Sequence, residues 1–320
     1  MTDGSAQISA ARGVEAILLG DLASGDAVLA TVTPIMRHLL DGGGGTIFGD
    51  AVIAGVRGMA ADLARQLLDA AASFEGQIER REHAASSIAE LVAALTISPA
   101  LIGHLHALAL EWKLAQSLQA RLSLDPVLSP LVQSEMASPD AERAALAMRF
   151  LAAQARFCQD QRRMQLPLTE LPGDLLHGAL LALRNVPLPG GEADAQKAEA
   201  LIRISYHESR TRLGLASRFV VGMADNGLSA LSVSNAGSAL FLTALSLASS
   251  QDRDLVSLMA DESQLARLAL SLRACGLKQP AVEEQFLTLH PDISLPEGFD
   301  RISADQAAAL LARSAQLGGN

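Results

Sequence analysis

The sequence predicts an all-α protein, built as an irregular helical array or multi-helix bundle. Hydrophobic residues make up 49% of its 320 residues and aromatic residues only 3%. Its apolar part is therefore mainly Ala and Leu, which are strong helix formers, whereas a β-rich chain would need more β-branched and aromatic residues. Apolar residues also recur at helical spacing along most of the chain, with no alternating strand pattern and no hairpin signal.

Helical periodicity and helix-breaking residues together define the expected elements. We predict helices over 9–19, 25–40, 50–74, 78–96, 99–122, 138–164, 174–184, 194–220, 236–249, 252–273, 279–288 and 303–315. The clearest apolar face belongs to 50–74 and consists of Val52, Val56, Met59, Leu63, Leu67 and Leu68. The helix 138–164 opens with the start signal Ser138-Pro139-Asp140. Its predicted apolar face consists of Ala144, Met148, Leu151, Ala152 and Ala155.

Two domains are expected, because 320 residues exceed the usual size of one domain. The richest cluster of breakers is NVPLPGGEAD (185–194), with two Pro and two Gly. We therefore predict an N-terminal helical domain over 1–186 and a C-terminal helical domain over 187–320.

The stretch DESQLARLALSLRACGLKQPAVEEQFLTLHP (261–291) is composed of paired helices with a short connection. It resembles the units of bacterial all-helical HEAT-like proteins of unassigned function. This resemblance covers about a tenth of the chain and implies a fold, an irregular array of stacked helix pairs.

The charge and cysteine content exclude several function classes. A formal charge of −10 argues against a general nucleic-acid binder, which needs a basic face. Cys158 and Cys275 are far apart and lack a CxxC spacing, so they predict neither a disulfide framework nor a zinc site. We interpret both as small apolar residues in a reducing compartment.

The N-terminus has neither a basic segment nor a continuous apolar segment of the signal-peptide type. The long uncharged runs 91–110 and 227–250 are diluted by polar residues. They therefore predict buried helices of a soluble, cytoplasmic protein, without a membrane span.

No cofactor or metal site is expected. In the glycine-rich stretch 41–50, Asp50 stands where a phosphate-binding loop needs Lys. His104 and His106 lie two positions apart on a predicted helix, so they point to different faces, and one of them should face the core. No HExxH motif accompanies them.

The stretch YHESRTRLG (206–214) carries the most specific pattern. Its residues 207–213 resemble the H-box of sensor histidine kinases, HELRTPL, and match it at His207, Glu208, Arg210, Thr211 and Leu213. In that family the His accepts phosphate, the acid activates the imidazole and the Thr assists phosphate removal. The resemblance implies these catalytic roles for His207, Glu208 and Thr211.

The H-box reading requires a helix through 194–220 with a buried stripe at Ile202, Tyr206, Ser209 and Leu213. His207 and Thr211 would then lie one turn apart on its flank. Only 113 residues follow His207 (320 − 207), too few for the rest of a helical hairpin and an ATP-binding domain. The implied role is therefore phosphotransfer from a receiver domain of another protein.

Four arginines in the same segment form a predicted basic patch: Arg203, Arg210, Arg212 and Arg218. In an acidic protein such a patch is suited to bind an acidic partner surface or a phosphate-bearing ligand.

The leading hypothesis is a non-catalytic helical interaction or regulatory scaffold, for example in bacterial signalling, that binds a protein partner. A second copy of the chain is a further candidate partner, as a homodimer. Two alternatives remain: a histidine phosphotransfer protein that uses His207, and a helical protein that binds an apolar small ligand between its helices.

Overall fold

A computed structural model of the chain describes residues 3–42, 49–72, 87–188 and 191–318. Within these ranges the protein contains fourteen α-helices and no strand, which confirms the predicted all-α class. The helices are α1 (Asp3–Gly42), α2 (Asp50–Ala72), α3 (Ile88–Leu95), α4 (Pro99–Leu122), α5 (Pro130–Met136), α6 (Ala141–Arg162), α7 (Gly173–Arg184), α8 (Glu192–Ser205), α9 (Arg212–Gly222), α10 (Val233–Ser249), α11 (Arg253–Leu258), α12 (Leu265–Ala274), α13 (Gln279–Leu289) and α14 (Ala304–Gly318). Short 3-10 helices cover Leu168–Glu170, Glu208–Arg210, Ala224–Leu231, Glu262–Gln264 and Phe299–Arg301.

The chain forms two compact units, each discontinuous in sequence. Unit 1 comprises Met1–Val32, Leu114–Ala147 and Phe219–Asn320, and unit 2 comprises Thr33–Lys113 and Met148–Arg218. The predicted domain boundary at 186 does not separate these units. It lies inside unit 2, because α7 and α8 on either side of the Pro/Gly-rich segment pack against each other.

Helix α2 is the centre of unit 2 and packs against α3, α7 and α8. All six residues of its predicted apolar face are buried. Polar side chains of the same helix hold the loop that follows α6. Asp62 Oδ2 accepts a hydrogen bond from the Leu166 amide at 3.2 Å, and Gln66 Oε1 accepts one from the Leu168 amide at 3.0 Å.

Helix α10 has the corresponding place in unit 1, where it packs against α5, α11, α12 and α13. Gly237 near its start has φ 73°, a left-handed conformation that glycine adopts without strain. The unit also joins distant parts of the chain. Gln264 donates a hydrogen bond to the Gly25 carbonyl at 2.8 Å, and Asp26 binds both Arg267 and Ser314.

Several predicted helix bounds need correction. The helices expected over 9–19 and 25–40 are one helix, α1. The helix expected over 252–273 is interrupted, because Asp261 caps a 3-10 turn by accepting the Ser263 amide at 3.0 Å. Only the last part of the helix predicted over 78–96 can be compared, because 73–86 lie outside the described residues, as do 43–48 of the glycine-rich stretch.

Helix α6 buries a different face from the predicted one. Its buried apolar residues are Ala147, Phe150, Ala153, Phe157 and Cys158, whereas Met148 and Ala152 are exposed. The two phenylalanines explain the difference, because an aromatic side chain removes far more apolar area from water than alanine does. The cap of α6 is Asp140, whose Oδ1 accepts the Glu142 amide at 2.9 Å.

Residues 13–40 of α1 are long and apolar enough to cross a membrane by length and composition, with 22% of the most apolar window buried. The pair α3 and α4, bent by 94°, passes the same test when taken together. One or two such helices are weak evidence of a membrane span, because the core helices of soluble proteins also meet these criteria of length and composition.

Both cysteines are free thiols. Cys158 is buried, and burial raises the pKa of Cys275 to about 11. The Cys275 thiol therefore stays protonated, and unreactive, at neutral pH.

Gly58 of α2 marks a close approach to the loop after α6. A Cβ atom at this position would lie 2.4 Å from Met164 Cβ and 2.8 Å from the Met164 carbonyl oxygen. We predict that Gly58→Ala lowers the free energy of unfolding by about 1–3 kcal/mol, because the backbone must move apart. Urea unfolding followed by circular dichroism measures this change.

Gly55→Ala on the same helix is the matched control, since its Cβ would meet Ala109 Cβ at an ordinary 3.6 Å. It should be neutral or gain up to about 1 kcal/mol from helix propensity. Equal effects of the two substitutions would contradict the close approach.

Candidate functional site

The segment Tyr206–Gly214 is a break between two helices, not the middle of one. Helix α8 ends at Ser205, and α9 begins at Arg212. Tyr206 (φ −83°, ψ 129°) and His207 (φ −143°, ψ 100°) are extended between them. The helix predicted over 194–220 is therefore wrong in its central part, and the stripe expected from it does not form, because Ser209 is exposed.

Thr211 begins the second helix. Its Oγ1 accepts a hydrogen bond from the Gly214 amide at 3.0 Å and donates one to the Glu208 carbonyl at 2.8 Å. This is the N-cap arrangement that Ser and Thr favour at helix starts. Thr211 is buried by the contact, so it does not share an exposed helix flank with His207 as the H-box resemblance implied.

Glu170 and Tyr206 anchor the break to the neighbouring 3-10 turn. The Tyr206 hydroxyl donates to the Leu171 carbonyl at 2.9 Å, and the Arg212 amide donates to Glu170 Oε2 at 2.7 Å. Burial raises the pKa of Glu170, although this amide and the Arg212 guanidinium oppose the shift. Partial burial, together with the nearby carboxylates, also raises the pKa of the Tyr206 phenol.

The Arg212 side chain points into unit 2 and is only 2% exposed. Its Nη1 and Nη2 bind Glu111 Oε1 and Oε2 at 2.6 and 3.0 Å, a bidentate pair. Nη1 also lies 3.2 Å from Gln154 Oε1, and the guanidinium carbon lies 3.7 Å from the centre of the Phe157 ring. Arg212 is therefore removed from the predicted basic patch, because its charge is matched inside the protein.

The other predicted site residues lie at the surface. His207, Glu208, Arg210 and Arg218 are exposed. No hydrogen bond joins Glu208 to the His207 imidazole among the residues that the structure describes. Glu208 therefore does not fix the orientation of the His207 imidazole, as a nucleophilic histidine requires.

Arg203 belongs to an ordered charge cluster on the α7–α8 pair. Its Nη2 lies 2.7 Å from Glu199 Oε1 and 3.2 Å from His177 Nδ1, and Arg184 binds the other Glu199 oxygen. The Arg184–Glu199 and Arg203–His177 contacts join α7 to α8. They also occupy Arg203 within the protein, so Arg210 and Arg218 are the two members of the predicted patch with exposed, unengaged side chains in the described structure.

An exposed apolar pair on α8 was missed from the sequence. Ile204 and Leu201 are 78% and 45% exposed, and they lie on the side of α8 away from Glu199 and Arg203. We call Leu201 and Ile204 the hairpin face. The signal was present in AEALIRIS (198–205), where apolar residues occupy more than one side of the helix.

His104 and His106 are both buried, whereas one of them was expected to face the core. No group of three or more metal-binding side chains occurs in the part of the chain that the structure describes. No protein-family model, curated protein or solved structure matched the chain. The HEAT-like and H-box resemblances therefore remain predictions.

We predict that Arg212→Met lowers the free energy of unfolding by about 3–5 kcal/mol, because it leaves the Glu111 carboxylate buried without its partner. Urea denaturation provides the measurement. Arg210→Met and Arg218→Met, at exposed positions of the same segment, should stay within about 0.5 kcal/mol of the wild type.

The double substitution Glu111→Leu with Arg212→Met should recover much of the lost free energy of unfolding, because neither charge of the buried pair then remains. A loss for Arg212→Met no larger than for Arg210→Met would refute the structural role of the pair.

We predict that His207 takes no phosphate from a phosphorylated receiver domain, because neither Glu208 nor Thr211 is placed to assist it. Incubation with a radiolabelled receiver, followed by acid treatment, tests this expectation. Acid-labile label that is present on the wild type and absent from His207→Ala would overturn it and restore the phosphotransfer hypothesis.

Proposed function

We propose that this chain is a non-catalytic helical interaction scaffold that binds a protein partner through the hairpin face. The observation that carries the proposal is the exposure of Leu201 and Ile204, three positions apart on one side of α8. Apolar side chains on one helix face, rimmed by charged groups, have the composition of a protein–protein interface.

Helix α8, which carries the hairpin face, is linked to α7 on another of its sides. Arg184 of α7 and Arg203 of α8 share the Glu199 carboxylate of α8, and Arg203 also contacts His177 of α7. A partner that binds such an ordered surface loses less conformational freedom than one that must order it. Single exposed apolar residues need no explanation, but two neighbouring ones on one side of a helix favour a binding surface.

Among the residues that the structure describes, the other two hypotheses have less support. Phosphotransfer through His207 is favoured by the exposure of the imidazole, but the break at Tyr206–Thr211 removes the helical arrangement on which it was based. For an apolar small ligand, the cavity between α3, α4 and α7 has a volume of about 190 Å³. This is below the roughly 300–1,000 Å³ typical of small-molecule sites.

A capture experiment tests the scaffold function. Immobilised wild-type protein is exposed to an extract of cells that express this chain, and bound proteins are identified by mass spectrometry. We predict that Leu201→Glu with Ile204→Glu reduces capture of the specific partner at least tenfold, because two carboxylates must be desolvated in the interface.

Val221→Glu with Leu228→Glu is the matched control, because these residues are similarly exposed but lie outside the hairpin face. Partners lost equally from both double variants, or retained by both, would count against the hairpin face as the binding surface. Circular dichroism spectra of the three proteins should coincide, since all four positions face solvent.

A further inference from the structure

A small cleft lies in unit 2 where α3 turns into α4. The two helices meet at a 94° bend over residues 96–98, and α7 packs against α3. The cleft between them has a volume of about 190 Å³. It is distinct from the hairpin face, because no residue of α8 lines it.

Small side chains create the space in this cleft. Ala94, Ala100, Gly178 and Ala182 line it, while leucines on α3, α4 and α7 form its walls. A Cβ atom placed on Gly178 would have no atom within 4 Å. The cleft is therefore an apolar hollow that is open to solvent.

One end of the cleft is negatively charged. Asp174 is its one charged lining residue, and no hydrogen bond or ion pair to its carboxylate occurs within the described ranges. Asp174 lies near Tyr206, as do Glu208 and Glu170, and all three carboxylates raise the pKa of the phenol. Arg212 and Arg156 offset part of the Glu170 charge. The remaining potential at this end favours a cation.

We propose that this cleft binds one apolar side chain of a protein partner, with a Lys or Arg of the same partner segment paired to Asp174. A volume of about 190 Å³ suits one anchor side chain better than a drug-sized molecule. Ile97, which is 60% exposed at the bend, extends the apolar contact outside the cleft. The inference deepens the proposed scaffold function and rests on it.

The probes are two synthetic nonapeptides with one central Leu, flanked by Lys in one and by Glu in the other. Binding is followed by NMR in protein labelled at alanine methyl groups, with Ala94, Ala100 and Ala182 as reporters. The Lys-flanked peptide should shift these resonances saturably, with an affinity at least fivefold above that of the Glu-flanked peptide at low salt, because of Asp174.

Three variants separate the cleft from the fold. Gly178→Leu occupies a lining position and should reduce the affinity at least tenfold, while its higher helix propensity preserves the fold. Gly103→Leu on α4 is the matched control, as its Cβ also meets nothing within 4 Å and it does not line the cleft. Asp174→Asn should remove most of the preference for Lys over Glu.

Equal affinity of the wild type and Gly178→Leu, or no shift with either peptide, would overturn the proposal. Isobutylbenzene, a small apolar compound, tests whether the cleft binds a small molecule instead. Saturable binding of this compound without binding of the Lys-flanked peptide would make the cleft a small-molecule site and also reject the proposal. These results are independent of the hairpin-face capture, so the cleft can fail while the scaffold function stands.

Discussion

The buried ion pair between Arg212 and Glu111 is the constraint on which the segment after α8 depends. In a helix continued from α8, Arg212 would share a face with Ser205 and Ser209, which are both exposed. Interrupting the helix at Tyr206 and restarting it at Thr211 turns the guanidinium inward, toward the Glu111 carboxylate of α4. Such a pair contributes little net stability relative to an apolar core, but it strongly disfavours arrangements that separate its partners.

Two of the four arginines in this segment are paired within the protein. Arg212 is matched by Glu111 inside unit 2, and Arg203 is matched by Glu199 one turn earlier in α8. The surface that remains for recognition is therefore less cationic than the composition of 203–218 indicates. For this reason the proposed binding surfaces are the apolar hairpin face and the cleft, not a basic patch.

Helical periodicity was a reliable guide where one face of a helix carries large apolar residues. All six predicted residues of the α2 face are buried, because large Val, Met and Leu side chains recur there at helical spacing, although Ile53 and Asp62 are buried as well. In α6 several alanine stripes compete, and the burial of Phe150 and Phe157 decides between them only in the folded unit. The predicted start of α2 at residue 50 is confirmed.

The candidate site was harder to predict for two physical reasons. A Thr followed three residues later by a glycine amide fits both a helix interior and an N-cap. The ion pair between Arg212 and Glu111 favours the N-cap, but its two residues lie 101 positions apart in the sequence. Ion pairing between distant residues leaves no local pattern in one sequence. The hairpin face was visible as surplus apolar residues in α8, but its meaning depends on which side of the helix α2 and α7 cover.

The discontinuity of unit 1 has a consequence for biosynthesis. Asp26 on α1 binds Ser314, a residue 288 positions later. At translation rates of about 5–20 residues per second, roughly 15–60 s separate the two residues as the chain emerges from the ribosome. Gln264 and Arg267, which also bind Gly25 and Asp26, are made before Ser314, so the contacts of α1 with the C-terminal third can form one after another. The surface of α1 around Asp26 therefore waits for its partners from the C-terminal third long after α1 itself has been made.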